Sequence, residues 1–428
     1  MMKKPKVCLI TPGHIASNPR LVKEAQALDR AGYSVHIIFT QYLGYLSSQD
    51  RAILNANTNW KYSVLNWEKR GILNRINRVI SGVLQLFSAK LAPLFPSPYF
   101  CRLVVNRHFF WQAAEAAKVK ASVYLAHNLG ALPVAALAAK VNKAKLGFDA
   151  EDFHRNESTD DHNHPDFKVK SYIEDLYIPH VDHFTAASPL IGEVYKSLYP
   201  SVSPLVVLNV FPAVPYDSVS ETGTTSLKLF WFSQKVGEGR GIEDIISAMG
   251  CCRKAQCELH LLGNVEDQYK KALEAEAVSV GIDPKQLYFY DPVPEKEIFQ
   301  LAATCDVGMA TETGLPYNRE ICLTNKIFTY IQAGLAVAAS DTNAQFQLLK
   351  QYPAIGKIYR RSRPETLAQI LDFYFENKAE LERCKKNNFR LGQEKFNWES
   401  EQERLVLSLN SLLEPKRPKL LKTNLETA

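Results

Sequence analysis

The sequence predicts an α/β protein built from two doubly wound, Rossmann-like domains that face each other across a cleft. Short apolar runs alternate with helix-patterned stretches along the chain, the rhythm of parallel strands joined by helices. Between residues 212 and 227 that rhythm breaks in a stretch poor in apolar residues and rich in Ser, Thr, Gly and Pro, then restarts. The length, 428 residues, matches two or three domains at roughly 100–200 residues each.

The elements follow in order. An apolar run at 6–11, helical spacing over 20–31 and a second run at 34–40 read as a βαβ unit. Further strands are expected at 122–126, 144–148, 183–186 and 205–208. Beyond the break come strands at 227–232, 258–262, 287–290, 307–309 and 336–340, separated by helices at 241–248, 268–280, 295–302 and 325–333. The division is therefore 1–212 for the first domain, 213–226 for a linker and 227–396 for the second domain. Residues 397–414 carry Trp398, Leu405, Leu409 and Leu412 at helical spacing, a late amphipathic helix that needs a surface to cover. The basic stretch 415–428 reads as a frayed tail.

Composition narrows the function classes. Hydrophobic residues make up 46% and charged residues 22%, which excludes disorder as the main theme. A net charge of +6, from 51 Lys and Arg against 45 Asp and Glu, is too slight for a nucleic-acid footprint. Eight cysteines without regular spacing, mostly inside apolar runs, fit ordinary thiols in a reducing, cytoplasmic compartment. The basic N-terminus precedes a run too short for a signal peptide, and no window reaches the ~18 apolar residues of a membrane span. The polar stretch from Asp160 to Asp166 offers many ligand atoms, but contiguous loop residues rarely converge on one ion, and no metal site is expected there.

Chemistry is expected at the carboxyl ends of the strands, where doubly wound sheets bind ligands. Gly13 lies between the first strand and first helix, whose N-terminus can offer backbone N–H groups to an anion or a hydroxyl. His127 closes the strand that starts at Ser122. The loop Ser233-Gln234-Lys235-Val236-Gly237-Glu238-Gly239-Arg240-Gly241 follows the first strand of the second domain, with two cations five apart among glycines that admit close approach of a phosphate. The run Asn325-Lys326-Ile327-Phe328-Thr329-Tyr330-Ile331-Gln332-Ala333-Gly334 is a helix stopped by glycine.

The order of these motifs resembles the retaining, nucleotide-sugar-dependent glycosyltransferases of the GT-B fold, the family 4-like group (glycosyl transferases group 1), over nearly the whole chain. The resemblance implies transfer of a sugar from a nucleotide donor, UDP- or GDP-linked, to a glycan or lipid-linked glycan in cell-surface polysaccharide assembly. It implies no cofactor besides the co-substrate, no metal and no covalent nucleophile. Lys235 and Arg240 would neutralise the leaving diphosphate, with Gly13, Ser233, Gly263, Pro292, Asn325, Lys326 and Thr329 lining the donor site. His127, Asp149 and Asp152 would line the acceptor side and serve in catalysis, the last two within Asp149-Ala150-Glu151-Asp152, which is similar to an Asp-Ala-His-Glu element. One departure stands out: of the family's two glutamates eight apart, the second is Thr329 and the first Ile321, so Glu312 or Glu320 is left to supply the sugar-facing carboxylate. A dehydrogenase would need Gly-x-Gly-x-x-Gly, a spacing that Gly237-Glu238-Gly239-Arg240-Gly241 breaks; a non-catalytic sugar-binding homologue remains the other alternative.

Residues 69–114 contain no Asp or Glu, while Lys69, Arg70, Arg75, Arg78, Lys90, Arg102 and Arg107 alternate with apolar residues. Over 69–111 this reads as a basic amphipathic surface for an anionic membrane, and hence as a peripheral protein on the inner face of the plasma membrane.

Overall fold

The computed structural model describes residues 5–67, 71–214 and 225–414. Most of the expected linker, the whole of the expected tail, and Lys69 and Arg70 lie outside the described residues. The strands form two all-parallel sheets. The first holds β1 (Lys6–Ile10), β2 (Ser34–Gln41), β3 (Lys61–Asn66), β4 (Val123–His127), β5 (Lys145–Ala150), β6 (His183–Ala186) and β7 (Leu205–Val206), in the order β3-β2-β1-β4-β5-β6-β7. The second holds β8 (Leu227–Val236), β9 (Cys257–Val265), β10 (Leu287–Tyr290), β11 (Val307–Ala310), β12 (Ala336–Ser340) and β13 (Gly356–Tyr359), in the order β10-β9-β8-β11-β12-β13. Each sheet reverses strand order beside its first strand, between β1 and β4 and between β8 and β11, the place where such sheets open a ligand crevice.

The central strands are apolar because helices cover both their faces. In β1, Val7, Cys8, Leu9 and Ile10 are all fully buried. The edge strand β3 was not expected as a strand: it reads Lys-Tyr-Ser-Val-Leu-Asn and leaves Lys61 and Tyr62 exposed, as suits an edge. β8 runs on to Val236, four residues past its expected end, with a register shift between Phe232 and Lys235; Ser233 and Lys235 are strand residues rather than loop residues. β7 stops at Val206 instead of Leu208 because the next backbone groups are taken by side chains: Arg20 donates to the Val207 carbonyl, and the Leu208 N–H donates to Glu401.

Past Val207 the chain leaves the first sheet, and it returns after the helix Lys378–Glu394. At the return, the Trp398 N–H donates to the Phe211 carbonyl at 2.9 Å, so the outgoing and returning segments lie side by side. The helix Trp398–Leu413, N-capped by Asn397, then packs on the first domain: Arg30 donates to Gln402 at 2.6 Å, Tyr33 bonds Asn410, and Ser408 meets His183 at 3.3 Å. Trp398 is 3% exposed, and the Lys23 ammonium lies 5.1 Å from its ring. Truncation of Trp398 to Ala is expected to destabilise the protein by about 3–5 kcal/mol, the cost of a large buried aromatic, in urea denaturation.

Candidate functional site

The carboxyl ends of the two sheets meet. The short helix Tyr317–Ile321, which follows β11, inserts against the ends of β5 and β6. Asn318 donates to Asp152 at 2.7 Å and accepts from the Phe153 N–H at 2.8 Å; the Tyr317 N–H donates to Asp160 at 2.8 Å; Ser188 donates to the Ile321 carbonyl at 2.7 Å. Phe153 and Tyr317 pack edge to face with ring centroids 6.0 Å apart. Asp160, expected in a solvated loop, instead accepts across the domain boundary. Asp152 does the same, and burial raises its pKa, so its placement is at the domain seam.

On the first-domain side, one buried cluster gathers residues from four elements. Arg20 and Glu24, four apart and thus on one face of the helix Pro19–Arg30, point at the ends of β4 and β5. The Arg20 guanidinium grips Asp149 with both oxygens engaged, at 2.5 and 2.8 Å, and Thr185 of β6 donates to the same carboxylate at 2.5 Å. His127 Nε2 lies 2.8 Å from Glu24, and its Nδ1 lies 3.4 Å from Asp149 and 3.7 Å from Glu151, within ion-pair range but out of line for hydrogen bonds. Arg20, Glu24, His127 and Asp149 are each at most 4% exposed.

Electrostatics explains how four ionisable groups share a dry site. Burial opposes a charged imidazole at His127, yet Glu24 foremost, with Asp149 and Glu151, raises its pKa well above the ordinary histidine value. Burial also works against the Asp149 carboxylate, but Arg20 and His127 outweigh it and hold the group far below the usual carboxylate range. Arg20 and His127 thus face Asp149, Glu24 and Glu151 inside the cluster. Glu24, His127 and Asp149 also have ligand atoms within 4.8 Å of one another, as a metal would require. Arg20 already occupies both Asp149 oxygens and His127 favours its protonated form, so the set is better matched to its own charges than to an added cation. Sequence reading placed His127 and Asp149 here but assigned no role to Arg20 and Glu24, although their i, i+4 spacing directly after β1 was a usable signal.

Gly13 sits at the end of β1, where a Cβ would come within 3.4 Å of the Tyr42 hydroxyl. The adjoining His14 is pinned: its Nε2 accepts the N–H groups of Tyr42 and Leu43 at 2.9 and 3.0 Å, which leaves the proton on Nδ1, 2.6 Å from Asp50. The turns after β1 and β2 are thereby joined.

On the second-domain side, the turn after β8 depends on glycine. Gly241 has φ +74, and a Cβ there would stand 2.6 Å from the Thr311 carbonyl oxygen; Gly263, at φ +146, would strike the Ser233 carbonyl at 2.1 Å. Arg240 donates to Ser233 at 3.2 Å, and its own carbonyl accepts from Thr311. Lys235 is paired at 2.6 Å with Glu266, both on the surface. Lys326, in the first turn of the helix Asn325–Gln332, pairs with Glu312 at 2.7 Å, and Thr324 adds a bond to the same carboxylate. Burial opposes charge on Glu312, but Lys326 holds its pKa below the ordinary value.

Two expectations for this region need correction. Thr329 does not offer its hydroxyl to a ribose: the residue is fully buried and the hydroxyl donates to the Asn325 carbonyl one helical turn back. Glu320 is engaged by Arg361 at 2.6 Å and by the Asn343 N–H at 2.9 Å, which directs it to the β12–β13 side of the domain. Glu312 is the carboxylate beside the helix N-terminus. Pro292 is exposed just beyond β10.

Replacing Arg20 with Gln, which strands Asp149 without its partner, is expected to cost about 3–5 kcal/mol in chemical denaturation. The stability advantage of the wild type over His127→Gln should be full below about pH 6.5, the unfolded histidine value, and should be lost as pH rises through the raised folded value. Denaturant titrations across neutral to alkaline pH measure it.

No protein-family model matches the sequence, and no curated protein matches it. Solved structures do match in fold. HepE of Anabaena, crystallised with UDP, superposes with a TM-score of 0.66 at 14% identity, covering 95% of this chain and 100% of that one. Sucrose-phosphate synthase of Thermosynechococcus elongatus gives 0.66 at 12% identity, covering 96% and 99%. WaaG, a glycosyltransferase involved in lipopolysaccharide biosynthesis, gives 0.58 at 11% identity, covering 94% and 98%. With two facing parallel sheets and a last helix that crosses back, the chain has the GT-B glycosyltransferase fold.

Proposed function

We propose that the protein is a retaining glycosyltransferase that moves a sugar from a nucleotide donor, UDP- or GDP-linked, to a glycan or lipid-linked glycan acceptor. The observation that carries the reading is the turn after β8. Glycines at positive φ bring its backbone close to the crevice of the second sheet, and Arg240 stands at its end beside the N-terminus of the helix Ile242–Cys251. A nucleoside diphosphate leaving group gains negative charge as the glycosidic bond breaks. Fixed cations and helix N–H groups stabilise that charge without reorganising. Lys235 supplies this from β8, Arg240 from the turn after it and Lys326 from the helix Asn325–Gln332, and the reading needs no resident metal or other cofactor.

Retention without a covalent nucleophile is consistent with the first-domain cluster, in which Asp149 is already committed to Arg20. The solved structures of HepE with UDP and with UDP-glucose support a donor of this class. A non-catalytic homologue is the second reading, favoured by the loss of a ribose-facing carboxylate at Thr329.

We further propose that the enzyme works at an anionic membrane surface through the helix Ile72–Leu91. Its Val79, Val83, Leu86 and Phe87 are 61, 60, 68 and 55% exposed, beside Arg75, Arg78 and Lys90. Among the described residues no helix is long and apolar enough to cross a membrane.

Thermal denaturation with UDP, GDP, CMP, ADP and NAD side by side tests the donor site: a ligand at 100 times its Kd adds roughly 2.7 kcal/mol. One nucleoside diphosphate should shift the transition; a response to NAD alone would point to a dehydrogenase. Turnover of the matching sugar nucleotide should fall about a hundredfold or more in Lys235→Ala with Arg240→Ala, and full activity there would remove the diphosphate assignment. Val79→Asp with Leu86→Asp should abolish flotation with phosphatidylglycerol vesicles and leave the melting temperature unchanged, because both side chains are exposed.

A further inference from the structure

We infer that a cavity of about 510 Å³ beneath the helix Ile72–Leu91 receives the phosphate-bearing headgroup of a lipid acceptor, which rests on the transferase reading above. The cavity opens beside the ends of β1, β2 and β3, through Gly13, Tyr42 and Trp67, and is closed by Arg78, Arg107 and His108. It therefore joins the crevice of the first sheet to the apolar helix.

Its two cations are assembled around one aromatic ring. The Arg107 and Arg78 guanidiniums lie 4.5 and 5.8 Å from the Trp67 ring centroid. Neither makes an ion pair with a carboxylate among the described residues, in a stretch of sequence that has no acidic residue from 69 to 114. Arg107 is held in place by Ser81, 3.1 Å from its Nε, and by the Arg78 carbonyl. Gly82 makes room for it: a Cβ at that position would stand 2.9 Å from Arg107 Nη2.

The chemistry selects an oxyanion. Burial, then the neighbouring Arg78, lowers the Arg107 pKa, a like-charge penalty that a bound anion relieves. His108, pushed down to about 4 by burial and Arg107, stays neutral, and its buried Nδ1 has no hydrogen-bond partner. Two planar guanidiniums suit a phosphate better than a sugar hydroxyl. The helix that contributes Arg78 to the cavity also exposes Val79, Val83 and Leu86 on a neighbouring face, which favours a phosphate that carries a hydrocarbon chain over a free one.

Flotation of the full chain with phosphatidylcholine vesicles doped with phosphatidic acid, or with phosphatidylglycerol at matched charge, tests this. Wild type should bind the phosphate monoester at least tenfold more tightly, and Arg78→Gln with Arg107→Gln should erase that preference. Arg78→Gln alone, at an exposed side chain without an ion pair, should lose most of it and guards against misfolding of the double variant. Inorganic pyrophosphate should compete only weakly. Equal binding by variant and wild type, or pyrophosphate binding as tightly as the lipid, overturns the inference. The nucleotide-induced thermal shift should be the same in all variants, so loss of that shift in wild type would instead count against the donor-site reading.

Discussion

The grip of Arg20 on Asp149 is the interaction on which the first domain's binding edge depends. A single guanidinium on the first helix holds the carboxylate at the end of β5 and donates on to the Val207 carbonyl, where the chain leaves the sheet. The end of β5 and the segment that follows β7 thus share one partner on the first helix. Because the group is buried, the pair stands only while the surrounding charges balance, which is why Glu24 and His127 accompany it. The floor of the crevice is accordingly built from paired charges rather than free ones.

The two halves of the crevice divide the work by chemistry. The second domain presents backbone N–H groups and separate cations on glycine-dependent turns, an arrangement suited to a diphosphate. The first domain presents a cluster of paired charges, and beyond it a pair of arginines under an apolar helix. On the readings proposed above, a diphosphate and a lipid phosphate would occupy opposite ends of the crevice.

Much of this was legible in the sequence where burial dictates composition. Central strands such as β1 and β4 are apolar through their middle residues, Val7 to Ile10 and Val123 to Ala126, so their presence and their parallel pairing follow from the pattern. The edge strands β3 and β13 were missed because their composition is mixed and mostly half-exposed, whereas the edges β7 and β10 kept an apolar run. His127 and the glycines of the β8 turn were legible because strand ends and positive-φ turns restrict residue type. Thr329 was misread because sequence cannot show that a hydroxyl is already spent on its own helix, and Glu320 because its partner Arg361 lies 41 residues away. Arg20 and Glu24 were overlooked for a different reason: charges on a helix normally face water, so their shared face was not taken as an inward one.

The returning helix Trp398–Leu413 has a consequence for how the protein is made. Leu405 and Leu409, both at most 1% exposed, join the same apolar cluster as Leu28 and Val35 of the first βαβ unit. The first sheet therefore cannot complete its cover while the chain is still being synthesised; it must wait until nearly all of the second domain has emerged from the ribosome. Domains that fold in order of synthesis escape this delay. Here the earliest residues to be made are among the last to be sealed, so the nascent chain carries an open apolar face for most of its translation.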